Sequence, residues 1–164
     1  MADDSPFLRA LGDIVWVPQR MDWLRRKDRQ RQGRSPDPSA GRVDGQSVRT
    51  RTQRLDVGFD GGKMVKGRKR RALMDSLGIP LEFDVTAANV SDREGLKTLL
   101  THYFKNGINR LRHLWVDGGY SGEPLQTWVA SLKKTFKITL ERVENEGKGF
   151  NVIKHRWVVE RALA

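Results

Sequence analysis

Leu114 to Gly122 reads LWVDGGYSG. Three apolar residues run into an acid, Asp117, which is followed by two glycines, an aromatic and, after Ser121, a further glycine. A buried strand that stops at a carboxylate and opens into a glycine turn sets a charged group at the rim of a sheet, where ligands of α/β proteins bind. The neighbouring segments decide what Asp117 works with.

Downstream, Pro124 sits near a helix start, and Leu125, Trp128, Val129 and Leu132 fall at i, i+3, i+4 and i+7, the spacing of an amphipathic helix. Phe136, Ile138 and Leu140 then alternate with Lys137, Thr139 and Glu141, a period of two that predicts a half-buried strand. The polar loop ENEGKG leads into a last helical segment, Asn151 to Ala164, which carries Arg156 and Glu160. Upstream, Ser91 followed by Glu94 is a capping-box signature, with Leu96, Leu99, Leu100, Tyr103 and Phe104 at helical spacing behind it. Asn106 and Gly107 end that helix, and the chain returns through Leu111 to Asp117 as a strand. Before it, Ala72 to Leu77 and Leu81 to Val85 flank the turn residues Gly78 and Pro80 as a hairpin, and Arg42 to Thr50, RVDGQSVRT, is a first strand bearing Asp44.

The predicted order is β, β, β, α, β, α, β, α. It is the order of the ribonuclease H-like nucleases and integrases, an α/β class with a mixed five-stranded sheet and flanking helices. In that topology the first strand is central, the Asp117 strand lies beside it, and the last helix packs across their ends. Asp44, Asp117 and Glu160 then converge despite their separation in sequence. Three carboxylates at one spot repel unless cations neutralise them, and hard oxygen donors suit Mg²⁺. Two such ions serve an in-line displacement at phosphorus. Asp75 and Asp84, on the hairpin, are rival ligands. His102, His113 and His155 have no metal-like spacing and read as structural or solvent-facing.

Charge points to the same chemistry. The chain has 31 Lys and Arg against 20 Asp and Glu, a formal net charge of +11, which favours a polyanionic partner such as nucleic acid. Gly58 to Arg71, GFDGGKMVKGRKRR, concentrates Lys63, Lys66, Arg68, Lys69, Arg70 and Arg71. Such a run reads either as the solvent face of a strand or as a phosphate-contacting strip, and the overall basic excess favours the second reading. Leu24 to Arg34 reads as a short basic helix, and Ser35, Pro36, Asp37, Pro38 and Ser39 form a linker. The expected division is therefore a basic N-terminal segment with its linker over 1–40 and one α/β domain over 41–164. No apolar run approaches the ~18 to 20 residues needed to span a bilayer, the start MADDSPF lacks the basic character of a secretory signal, and there is no cysteine. An intracellular protein without disulfides is expected.

The stretches VDGQSVRT, GRKRRALMDSLGIPL, VTAANVSDREG, LWVDGGYSG and KGFNVIKHRWVVERALA resemble, in order, successive blocks of bacterial insertion-sequence transposases of the DDE type, families four and five. The resemblance implies that Asp44, Asp117 and Glu160 are the catalytic acids that bind Mg²⁺ or Mn²⁺. It implies nicking of double-stranded DNA at transposon ends by hydrolysis, then joining of the freed 3′ hydroxyl to target DNA. It also implies action as a homodimer, in a bacterial cytoplasm on nucleoid DNA. Arg156 matches an arginine four residues before the catalytic Glu; at that spacing the two share a helix face, either as an ion pair or with the guanidinium holding the scissile phosphate. Ile153 stands where the family often has Tyr. Full-length relatives carry an N-terminal DNA-binding region and a longer last helix, so the expectation is a domain shortened at both ends, with Glu160 weakly anchored and activity reduced. The alternatives are a non-catalytic DNA-binding remnant or another ribonuclease H-like nuclease.

Overall fold

The computed structural model describes residues 22–50, 57–105, 110–120 and 122–143, without the side chains of 133–135. The chain divides into two compact units, Met1–Asp37 and Pro38–Ala164. In the first, α1 covers residues 22–31. Asp22 opens it with ion pairs to Arg25 and Arg26, a favourable charge order for a helix N-terminus. Gly33, at φ 69°, closes it, with Arg34 N donating to Arg29 O at 2.9 Å.

The second unit holds a six-stranded mixed sheet built from β1 (Ala40–Arg49), β2 (Gly58–Asp60), β3 (Val65–Asp75), β4 (Pro80–Ala87), β5 (His113–Val116) and β6 (Thr139–Arg142). Helix α2 (Asp92–Lys105) precedes β5, and α3 (Glu123–Phe136) joins β5 to β6. β1 is central, antiparallel to β3 on one side and parallel to β5 on the other. β6 extends the parallel side, while β4 and the short β2 share the outer edge of β3. This is a ribonuclease H-like sheet, with β2 added to the expected five strands.

Val43, Leu73, Leu114 and Val116 point from the sheet into one core with Leu96, Leu99, Leu100 and Tyr103 of α2 and Leu125 and Val129 of α3. The helical spacings in the sequence thus mark true buried faces. Ser91 caps α2, its Oγ accepting from Glu94 N at 3.2 Å. Two boundaries differ from expectation. The expected last strand from Phe136 begins instead at Thr139, because Phe136 stacks on Phe104 with centroids 4.0 Å apart as the end of α3, and Lys137 turns the chain at φ 53°. The basic segment before Ala72 is itself strand, since β3 starts at Val65 and folds back on β2 through residues 61–64.

Arg71 of β3 is completely buried. Its Nη1 donates to Thr86 Oγ1 at 2.8 Å and lies 3.5 Å from Asp84 Oδ2. Its Nη2 donates to the carbonyls of Val90 and Ser91 at 2.9 and 3.0 Å. The guanidinium therefore ties β3 to β4 and to the entry of α2. A Cβ on Gly95 would sit 2.0 Å from Arg71 Cζ, so only glycine leaves room for it. Elsewhere in a helix, Gly→Ala adds roughly 0.5–1 kcal/mol of stability. Here Gly95→Ala is expected to reverse that sign and cost about 2–3 kcal/mol by overpacking, measured as a lower urea midpoint at unchanged slope.

Candidate active site

The β1–β5 register pairs Ala40 with His113, Gly41 with Leu114 and Arg42 with Trp115. The paired register ends there; Asp44 and Asp117 each lie two residues further along, Asp117 directly beyond the end of β5. Val43 and Val116 enter the core, whereas Asp44 pairs in register with Ala72, outside the main core cluster. Residues alternate sides along a strand, so Asp44 falls on the face opposite the core, while Asp117, beyond the last residue of β5, lies at the Gly119 turn. Asp44 Oδ1 accepts from Gly45 N at 2.7 Å, and Asp117 Oδ1 accepts from Gly119 N at 2.9 Å. Asp117 is exposed and Asp44 half-buried, which leaves the pair accessible to solvent.

The sequence did not mark a third acid, Asp92, the first residue of α2. A Cβ on Gly119 would lie 2.9 Å from Asp92 Oδ2 and 3.2 Å from Asp117 Oδ1. The glycine turn after β5 is thus flanked by both carboxylates. Asp92 is ion-paired: Lys69 Nζ donates to its Oδ1 at 3.0 Å, and Arg71 Nη2 lies 3.7 Å from the same oxygen. Lys69 Nζ is also 3.4 Å from Asp60 Oδ2. Asp60 accepts from Ser47 Oγ at 2.5 Å and from the backbone amides of Gly62 and Lys63. The Ser47 hydrogen bond, aided by those amides and Lys69, outweighs burial and holds the Asp60 carboxyl at about 2, against an ordinary 3.8.

Tyr120 closes the turn, its N donating to Asp117 O at 3.2 Å. Its ring is part of the core and only 4% exposed. Its hydroxyl lies 3.3 Å from the point where a Cβ on Gly45 would stand, beside Asp44, and has no hydrogen-bond partner among the described residues. Burial first, then the charges of Asp92, Asp117 and Asp44 against the opposing Arg71, push its pKa well above the ordinary value. The hydroxyl therefore stays protonated.

The basic strip is divided by the pleat. Lys66, Arg68 and Arg70 alternate with Gly67, Lys69 and Arg71, and the second set is buried. Lys69 and Arg71 are therefore inward ion-pairing residues, unavailable to a surface partner. Register puts Arg70 beside Gln46 and Val85, and Arg68 beside Val48 and Ala87, on the face of Asp44. Lys63 is exposed, and its Nζ donates to Gly45 O at 3.0 Å, next to Asp44. The rival acids have other work: Asp84 meets Arg71, and Asp75 Oδ1 accepts from Leu77 N and Ile79 N at 2.9 and 2.8 Å in the hairpin turn. His113 Nε2 stands 2.6 Å from Glu141 Oε2. Glu160 and Arg156, with His155, lie outside the described residues. Among the described residues no three His, Cys, Asp or Glu side chains come together as a metal site, and no helix is long and apolar enough to cross a membrane.

Residues 35–164 match the family model described as a transposase DDE domain. No curated protein matches the chain.

The Asp60 hydrogen bonds stabilise the fold fully above the unfolded-chain value of 3.8, and this contribution disappears as pH falls through about 2. Asp60→Asn is expected to lower the urea midpoint near neutral pH, with the gap to the wild type closing across that acidic window.

Proposed function

We propose, from the premise that the chain belongs to the transposase DDE domain family, that it is the catalytic domain of a bacterial insertion-sequence transposase related to families four and five. Residues 41–164 are the catalytic domain in this reading. It nicks duplex DNA at transposon ends and transfers the freed strand to target DNA, working as a homodimer on nucleoid DNA. One observation supports the reading beyond family membership: Asp44 on β1 and Asp117, just beyond the parallel β5, each lie two residues past the paired stretch of Ala40–Arg42 with His113–Trp115, and neither is buried.

Members of this family generally use divalent metal ions, and the donor set here fits one. Two carboxylates with solvent access offer the hard oxygen ligands that Mg²⁺ or Mn²⁺ takes. Asp44 and Asp117 are its proposed ligands, with Glu160 as the third acid and Arg156 as a holder of the scissile phosphate. When bound, the ion supplies Lewis-acid charge neutralisation at the phosphate. Lys69 and Arg71, which also pair with Asp60 and Asp84, offset part of the charge of Asp92.

The outward cations bind the substrate backbone. Lys66, Arg68 and Arg70 recur every second residue of β3, about 6.6 Å apart by strand geometry, on the face that carries Asp44. Phosphate contacts of this kind position a duplex without reading its sequence. Lys63, beside Gly45, adds a cation next to the acid pair.

Two outcomes are expected. Asp44→Asn and Asp117→Asn should each reduce Mn²⁺-dependent nicking of a transposon-end duplex by about 10³-fold or more, while leaving duplex binding intact. Absence of nicking by the wild-type chain with either Mg²⁺ or Mn²⁺ at every protein concentration overturns the catalytic reading. Replacing Lys66, Arg68 and Arg70 together by Gln should flatten the slope of log binding constant against log salt by about 2 to 3, one unit per lost phosphate contact. An unchanged slope removes these residues from the DNA interface.

A further inference from the structure

A buried hydroxyl without a partner is uncommon in a folded protein, since it loses its bonds to water and gains none. Tyr120 is 4% exposed, with its ring fixed in the core and its hydroxyl unpartnered among the described residues. The hydroxyl stands at Gly45, the neighbour of Asp44, on the side of the sheet where Asp92 flanks the same glycine turn as Asp117. The charges of Asp92, Asp117 and Asp44 all act on this hydroxyl. Asp92 is already met by Lys69 at 3.0 Å and by Arg71 at 3.7 Å. Asp44 points to the opposite face from Gly45, with which the hydroxyl is in contact. Asp117 is in the same four-residue turn as Tyr120, joined to it by the Tyr120 N to Asp117 O hydrogen bond, and has one carboxylate oxygen engaged by Gly119 N.

We infer that Tyr120 is a positioning residue, whose hydroxyl donates to the Asp117 carboxylate when the Asp44–Asp117 pair takes up a divalent cation. The inference rests on the proposed role of that pair. A donor held by core packing fixes the rotation of a ligand carboxylate, so the carboxylate loses less freedom on binding the ion. Groups of this kind act through the ligand they hold, and their removal typically weakens metal affinity about 10- to 100-fold. The ring has a separate duty in the core. Tyr120→Phe removes the donor and keeps that packing, whereas Tyr120→Leu disturbs both.

The test is Mn²⁺ titration of the full chain without DNA, followed by calorimetry or by the free-Mn²⁺ electron paramagnetic resonance signal, together with thermal unfolding of the metal-free protein. Tyr120→Phe is expected to bind Mn²⁺ about 10-fold more weakly, with metal-free stability equal to or above wild type. Tyr120→Leu is expected to lose metal-free stability as well. Asp117→Asn is the control for the underlying reading. If Asp117→Asn weakens Mn²⁺ binding and Tyr120→Phe does not, the positioning role is wrong and the acid pair stands. If wild type binds no Mn²⁺, or Asp117→Asn binds it as wild type does, both fail together. A Tyr120→Phe protein that loses affinity only in proportion to a lost metal-free stability also overturns the inference.

Discussion

The second unit is built around a charge that has no access to water. Arg71 lies in the middle of β3, the strand that β1, β2 and β4 all pair with, and its guanidinium is wholly enclosed. Taking an ion out of water is costly unless its hydrogen bonds are replaced, and breaking one side of such an arrangement costs about 3–5 kcal/mol. The replacements come from Thr86 and Asp84 on β4 and from the carbonyls of Val90 and Ser91 where α2 begins. One side chain thereby dictates how the hairpin and the first helix meet. Buried ion pairs seldom add much net stability over apolar packing, but their demand for particular partners makes misregistered alternatives expensive.

That demand extends to the acid face. Lys69, one pleat along from Arg71, joins Asp60 at the end of β2 to Asp92 at the start of α2, and Asp92 borders the Gly119 turn. The inward half of the basic strip thus pairs with inward acids. The outward half, Lys66, Arg68 and Arg70, lies on the face of Asp44. Alternation along a strand sorts neighbouring cations into two unlike roles, which composition alone cannot do.

Much of this was legible beforehand. The 3.6-residue spacing of Leu96, Leu99, Leu100 and Tyr103, and of Leu125 and Val129, is a direct consequence of burying one helix face, so both helices and their inward residues were readable. Ser91 announced the start of α2 because a capping side chain acts within one turn. The β2 strand was not readable: three residues, GFD, followed by glycines carry no periodicity, and they form a strand only because β3 offers them an edge. Phe136 kept the alternation of a strand, yet stacking on Phe104, over thirty residues away, makes it the end of a helix.

By itself, the amino-acid sequence determined α2, α3, the longer strands and the basic excess, since each depends on local periodicity or on residue chemistry. Tertiary structure decided the rest: that Lys69 and Arg71 turn inward, that Asp92 borders the Gly119 turn, and that the Tyr120 hydroxyl reaches Gly45. These are facts of register and packing between segments dozens of residues apart, and no local pattern encodes which strand lies beside which or how far along it is paired.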